Sequence, residues 1–429
     1  MLFSIYLIAL SILLWLVFLS PAHGLTAVML MFAVDQVGQS SSPFLAQQQA
    51  LSNYAIASLS MLAFVIQLKR HGWQTLHVGN SLLLVVLLLS LAMISTLWTL
   101  DFDFAINSWI QTTPYLIVYL LLSPHLIASA KDLNIALSGF LLVGAILVIA
   151  ILFLSEWGHR GLVIAGQLDQ YRNVATSNPL AIAQFAAYIA LTAIGFGIFD
   201  RSFLRRIFYG VLIVLSVVVI VKSGSRGQLL ALPVAALLAI LLSHSAHRSL
   251  ISLAIVAIPA LIAIFTFQEI IAPDDDIVSR WQGAKFSQGI GIRGYYATSV
   301  IDYWLSADWW SLLVGIGSAA TQHPKVLGNY PHLVALEVLV EYGVIGLLIF
   351  TAIILSTYRN IVEAIRVESR NLRERASLWV LCSLFTFAVI ISFKQGNLLT
   401  SIDIFLFAIL IDKALWLSRT SMPKTWPKH

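Results

Sequence analysis

The sequence predicts an all-α polytopic membrane protein, and three observations carry that prediction. Hydrophobic residues fill 59% of the 429 positions and charged residues 10%, where soluble domains carry about 25% charged residues. Apolar runs of the roughly 20 residues needed to cross a bilayer recur along the chain. Most Lys and Arg residues fall in alternate loops between those runs, the pattern of the positive-inside rule. The chain therefore divides into spans rather than into soluble domains.

The first run, 2–20, is followed by Ser20-Pro21-Ala22, which would suit signal cleavage. No Lys or Arg precedes it and it is longer than a usual signal core, so it reads as a retained span. Leu25–Val34 is short and runs into Asp35 and a Gln/Ser-rich segment, so 25–38 reads as a re-entrant piece. Spans follow at 51–67, 80–98, 109–128, 133–155, 180–199, 206–222, 228–243 and 249–267. A large polar loop, 268–332, precedes the last three spans at 333–356, 376–393 and 398–418 and a short tail. The chain thus has three regions: 1–267 with nine spans, the loop 268–332, and 333–429 with three more. About 12 spans with the amino terminus inside put Lys69, Arg70, Lys131, Arg201 and Arg205 in the cytoplasm, and both termini with them. The loop 99–108, which has Asp101 and Asp103 but no Lys or Arg, falls outside. Counting Leu25–Val34 as a further span would reverse every later loop under that assumption. Within the large loop, the aromatic-rich stretch Tyr296–Leu313 predicts short helices, with Trp304, Trp309 and Trp310 in the interfacial belt.

Nine basic residues remain on the outer side: Arg160, Arg172, Lys222, Arg226, Arg280, Lys285, Arg293, Lys325 and Lys394. Topology does not account for them. Lys285, Lys325 and Arg160 read as solvated loop charge. Arg172, Arg226, Arg280 and Arg293 flank spans, where the planar guanidinium fork suits phosphate oxygens. The single cysteine, Cys382, excludes an internal disulfide and a cysteine metal site. Asp274-Asp275-Asp276 follows Pro273 and reads as a turn or helix cap, so no metal site is assigned. The net charge of +5 is modest, and no nucleic acid partner is expected.

The large loop ends in Asn329-Tyr330-Pro331-His332, and an apolar run with Glu337, Glu341, Gly343 and Gly346 follows at once. Ionisable groups entering a bilayer cost several kcal/mol unless paired or hydrated, so they mark candidate function. An ordinary imidazole titrates near ~6.5 and can accept a proton at neutral pH, which makes His332 the candidate base. His323, nine residues earlier, is its rival but has no carboxylates after it. On an unbroken helix Glu341 would lie about 13 Å along the axis from His332 and face away from it. Glu337 and Glu341 therefore read as supporting residues that brace the bundle, with Gly343 and Gly346 allowing close helix approach.

At these residues the chain resembles the O-antigen ligase and polymerase superfamily. Ser223-Gly224-Ser225-Arg226-Gly227 is similar to the family's SRG element. Arg293, Trp304 and Gly315-Ile316-Gly317 resemble its R…W…GxG stretch. His332 with Glu341, Gly343 and Gly346 resembles its H…ExGxxG element, with Leu333 where the family usually has Asn. Tyr171-Arg172 ahead of Ser177-Asn178-Pro179 is similar to an earlier arginine element.

The resemblance implies a multi-pass protein of a Gram-negative inner membrane, with a periplasmic active site. It implies an O-antigen ligase that moves a glycan from undecaprenyl pyrophosphate to a lipid A–core sugar, with no cofactor. His332 would be the catalytic base. Arg172, Arg226 and Arg293, with Arg280 in support, would bind pyrophosphate. An O-antigen polymerase or a protein O-oligosaccharyltransferase of the same superfamily is the alternative; one large loop and a short tail favour the ligase. A twelve-span transporter would show two similar halves with a polar midplane in each. Here the intramembrane charges concentrate in the last third.

Overall fold

The computed structural model describes residues 1–158, 161–168, 174–242, 283–367 and 372–420. The expected span 249–267, Arg172, Arg280, Asp274–Asp276 and the first part of the large loop lie outside the described residues. The protein is a mostly helical, polytopic membrane protein. Eight of its helices are long and apolar enough to cross a membrane, among the described residues.

The amino-terminal half is built from α1 (Leu2–Leu19), α2 (His23–Ser41), a short α3 (Pro43–Gln47), α4 (Ala50–His71), α5 (Asn80–Ile94), α6 (Phe102–Leu116) and α7 (Ala130–Phe153). A two-stranded antiparallel hairpin, β1 (Val163–Leu168) and β2 (Val174–Thr176), interrupts the helices. The prediction of an all-α chain missed it. Helices α8 (Pro179–Phe199), α9 (Phe203–Lys222) and α10 (Arg226–Leu242) follow. Then come α11 (Gly283–Leu305), α12 (Trp309–Val314), α13 (Val334–Val367), α14 (Leu372–Ser392) and α15 (Ile402–Thr420).

The segment expected to be re-entrant is a full helix. At 19 residues, α2 is about 28 Å long, close to the thickness of a bilayer core. It runs antiparallel to α1 and is buried along nearly its whole length. Gly24 lies against Ala63 and Leu126, and Gly38 against Tyr6 and Ser52, so close that a methyl group would collide at either position. Tyr6 and Ser52 hydroxyls meet at 3.0 Å at one end of this layer, and Arg70 donates to the Phe18 carbonyl at the other. Leu2 therefore lies at the end opposite Lys69 and Arg70. No Lys or Arg precedes Lys69, so the positive-inside rule is silent on the first two helices. Adding α2 and reversing α1 leaves every basic loop where it was. A tag at residue 1 is expected to be reachable from the same side of a sealed vesicle as a label at residue 325. Protection of one with exposure of the other would overturn this arrangement.

Two expected spans are bent. The run 109–128 begins in α6, capped by Asp101 accepting from the Phe104 N–H at 3.0 Å. Past Pro114, Ile117–Leu122 widens into a π-turn and Ser123–Leu126 tightens into a 3-10 turn. A proline removes a backbone donor and displaces the turn before it. The second break, at Gly343 in α13, shapes the functional end of the molecule. The aromatic stretch of the large loop divides between the end of the 23-residue α11, which contains Tyr296, and the six-residue α12.

Candidate active site

Five separated segments meet at the end of the bundle opposite Lys69 and Arg70. The start of α8 is set by Asn178, which caps it by accepting from the Leu180 N–H at 3.0 Å, and by Pro179 in its first turn. The turn between α9 and α10 packs on it: Ser225 Oγ donates to the Pro179 carbonyl at 3.4 Å and Gln228 Nε2 to that of Leu180 at 3.3 Å. Arg226 is the first residue of α10 and half-buried. The α14–α15 connection lies across this turn, with Lys394 Nζ donating to Gln228 Oε1 at 2.9 Å. Farther along the same connection, the Leu398 N–H donates to Glu337 Oε2 at 3.2 Å. Glu337 is thereby the link between the SRG turn and the start of α13.

Glu341, fully buried, organises the other side. Its carboxylate accepts from the Ala319 N–H (2.7 Å), the Thr321 N–H (3.1 Å), the Thr321 hydroxyl (2.5 Å) and the Tyr342 hydroxyl (3.2 Å). Two backbone bonds join the same segments, from Ile316 N–H to the Val340 carbonyl and from Gly317 N–H to that of Glu341. The carbonyls of Val340 and Glu341 can serve a loop because α13 breaks at Gly343, whose φ of 69° is outside the helical range. Glycine takes that conformation without penalty. A Cβ at Gly343 would also strike the Leu313 carbonyl, and one at Gly315 (φ 83°) that of Glu341. From the opposite side, Trp98 Nε1 donates to the Gly315 carbonyl at 3.1 Å and Thr99 Oγ1 to that of Ser318 at 2.6 Å. The GxG element is thus a loop clamped between the α13 break and the end of α5. Gly346 lies behind the break, against Tyr342.

His332 sits one turn outside this lock. It is not helical: its φ of 59° turns the chain from the loop into α13, a left-handed conformation that costs a non-glycine residue about 1–2 kcal/mol. Such strain clusters at functional positions. The imidazole lies between two tyrosines, stacked on Tyr296 of α11 at 6.1 Å between centroids and tilted against Tyr330 at 4.2 Å. Burial, then the positive charge of Arg293, hold His332 below the usual histidine range. Arg293 is three residues before Tyr296, on the same side of α11, and is exposed. For Tyr330, burial and then the Glu337 carboxylate hold the phenol above its ordinary value, so it remains a neutral hydroxyl. Val300, Ile316, Ala320 and Val340 form a small core of their own that ties α11, the GxG loop and α13 together. That core fixes Tyr296 and Arg293 relative to His332.

Residues 211–351 match the family model described as O-antigen ligase. The match covers about a third of the 429 residues, and over that stretch the chain is similar to the O-antigen ligase family. A comparison with curated proteins gives no match. The O-antigen ligase stretch contains Arg226, Arg280, Arg293, His332, Glu337, Glu341, Gly343 and Gly346. It stops short of Arg172 at one end and of Lys394 and Asp403 at the other.

The structure brings Arg293 to His332, and Lys394 over Gly227, the residue after Arg226. Arg172 and Arg280 lie outside the described residues. His323 does not join the cluster; its Nδ1 accepts from the Lys325 N–H at 3.2 Å and its carbonyl closes the local turn. Trp309 and Trp310 are exposed, as a membrane-interface pair would be, but Trp304 turns inward and donates to the Ser311 carbonyl at 3.2 Å. Tyr296, Tyr330, Trp98, Thr99, Gln228 and Lys394 were not marked as site residues by sequence reasoning. Lys394 did give a signal, as a basic residue on the side where topology does not want one. Among the described residues no group of three or more His, Cys, Asp or Glu side chains could hold a metal ion.

Proposed function

We propose that this chain is an O-antigen ligase that transfers a glycan from undecaprenyl pyrophosphate to a sugar hydroxyl of lipid A–core, at the periplasmic face of a Gram-negative inner membrane. The observation that carries the reading is His332, held between two tyrosines with its proton affinity lowered by burial and Arg293. A histidine in that setting is neutral at pH 7 and ready to take a proton.

In the reaction, the acceptor oxygen attacks C1 of the donor sugar while its proton passes to the His332 imidazole. The C1–O bond to pyrophosphate breaks, and the bonding pair leaves with the pyrophosphate. Arg226 and Arg293 offset the charge that grows on the departing group. Arg172 and Arg280 enter the proposal on the sequence alone. Glu337 and Glu341 hold the loops and take no part in proton transfer. A polymerase of the same superfamily would use the same donor and extend the glycan instead.

The deciding experiment is a reconstituted assay offering lipid-linked glycan together with lipid A–core. The expected product is glycan on the core; lengthening of the lipid-linked glycan with an unmodified core would overturn the ligase reading. In the same assay the arginines are expected to act on the donor. A well-formed hydrogen bond to a charged group is worth about 1.5–3 kcal/mol, so Arg226→Ala or Arg293→Ala should weaken donor use by about tenfold or more. Lysine should rescue only in part, because it lacks the planar fork. Normal donor affinity with weakened acceptor affinity in both alanine variants would assign them to the other substrate.

A further inference from the structure

The polar residues of α2 carry oxygen atoms that the packing of the bundle does not account for. Asp35, Gln36, Gln39 and Ser40 follow i,i+3 and i,i+4 spacing and so share one face of that helix. Asp35, Gln36 and Gln39 are 6%, 7% and 6% exposed. Two amides serve the carboxylate: Gln39 Nε2 donates to Asp35 Oδ2 at 2.8 Å, and Gln36 Nε2 to the same atom at 3.5 Å. Three further atoms of the group are buried with no hydrogen-bond partner among the described residues: Asp35 Oδ1, Gln36 Oε1 and Ser40 Oγ.

Each of the three is out of character. A buried acceptor without a donor costs free energy. Helix hydroxyls elsewhere in this protein return to the carbonyl one turn back, as Ser60 does to Ile56 and Thr192 to Tyr188. That of Ser40 does not.

The carboxylate also lacks a countercharge. No Lys, Arg or His side chain pairs with Asp35 among the described residues. It lies six residues before Ser41, about 9 Å in from the outer end of α2, at a depth where an unpaired charge is costly. Tyr115 of α6 is a neighbouring titratable group within reach of the Asp35 charge; its hydroxyl accepts from Asn53 Nδ2 at 3.0 Å and brings no positive charge. Ser40, nearer the helix end, is partly exposed, which leaves an approach from the outer side.

We propose that Asp35 Oδ1, Gln36 Oε1 and Ser40 Oγ form a binding site for one monovalent alkali cation, entered from the outer face. A proton on Asp35 would serve that carboxyl and the Gln36 oxygen but would not engage Ser40. A water molecule would bring no charge. One alkali cation cancels the one negative charge and takes carboxylate, amide and hydroxyl oxygens alike. A divalent ion would leave a surplus charge inside the bilayer and takes more oxygen ligands than these three. The site lies on the amino-terminal half, outside the stretch similar to O-antigen ligases, and stands whether or not the donor reading does.

The test is binding of radioactive sodium to the full-length protein in lipid nanodiscs at mildly alkaline pH. Wild type is expected to bind one sodium ion per chain, saturably, with potassium competing and choline not. Asp35→Asn keeps the shape, removes the charge and should abolish that binding. Gln36→Leu and Ser40→Ala should each weaken it by at least about tenfold, the cost of disturbing even a supporting group at a metal site. Melting gives a second reading, since an ion that binds only the folded state stabilises it. Sodium chloride should raise the Tm of wild type above its value in choline chloride at equal ionic strength, and leave that of Asp35→Asn unmoved. No saturable sodium binding to wild type, or unchanged binding in Asp35→Asn, would overturn the site. A Tm that follows pH but not sodium would overturn it too and make Asp35 a protonated acid. If Asp35→Asn does not fold, Ser40→Ala at the helix end decides, and wild-type sodium affinity there is equally fatal.

Discussion

Replacing His332 with alanine is expected to abolish glycan transfer while leaving a folded, inserted protein. A positioned general base contributes on the order of 10²–10⁴ in rate, and no other imidazole lies in the described site, since His323 is committed to its own turn. Folding should survive because His332 stands outside the Glu341 lock and the small core around Val300. The measurement is lipopolysaccharide gel mobility at matched protein level; a normal ladder would remove His332 from catalysis. The pH profile gives a sharper form of the same test. A base works only when deprotonated, and burial and Arg293 both disfavour the imidazolium. Activity should therefore hold as pH falls to about 6.5 and decline only below it. Arg293→Gln removes one of the two causes, so its acid limb should move to higher pH. A limb that stays put, or moves lower, would show that Arg293 does not act on His332.

The second large effect is expected at Glu341. Its carboxylate is the acceptor for two buried backbone N–H groups and two hydroxyls. Each buried donor left without an acceptor costs about 1–3 kcal/mol, so Glu341→Ala should destabilise this end of the protein by roughly 2–6 kcal/mol. The GxG loop would lose its register on α13, and with it the placement of His332. Transfer should fall to background, with increased proteolysis between residues 315 and 332 at an early stage. Glu341→Gln keeps one acceptor oxygen and should retain part of the stability. Full activity in Glu341→Ala would show that the backbone bonds to Val340 and Glu341 hold the loop unaided.

Hydropathy made most of the helices legible, because a lipid-facing helix must be apolar all along its length. It missed α2 for the complementary reason. That helix is enclosed by α1, α4 and α7 and never needs to satisfy lipid, so Asp35, Gln36 and Gln39 are tolerated on it. Single residues were legible where their chemistry is unusual for their place: His332 at a span boundary, Glu337 and Glu341 within a span, arginines on the outer side. Their contacts were not. Spacing on an unbroken helix set Glu341 apart from His332, but nothing in it showed that Gly343 breaks the helix and frees carbonyls for the GxG loop.

From its sequence alone this protein is a multi-pass membrane protein with a polar loop ending in a histidine, because the bilayer constrains composition residue by residue and that constraint is local. Which residues share the site was decided only by tertiary structure. Lys394 reaches Gly227, Leu398 reaches Glu337 and Trp98 reaches Gly315 across 167, 61 and 217 residues of chain respectively. Such contacts depend on how the spans pack against one another. Helix packing inside a membrane is set by close fit and a few hydrogen bonds rather than by hydrophobic patterning, and no periodicity along the chain records it.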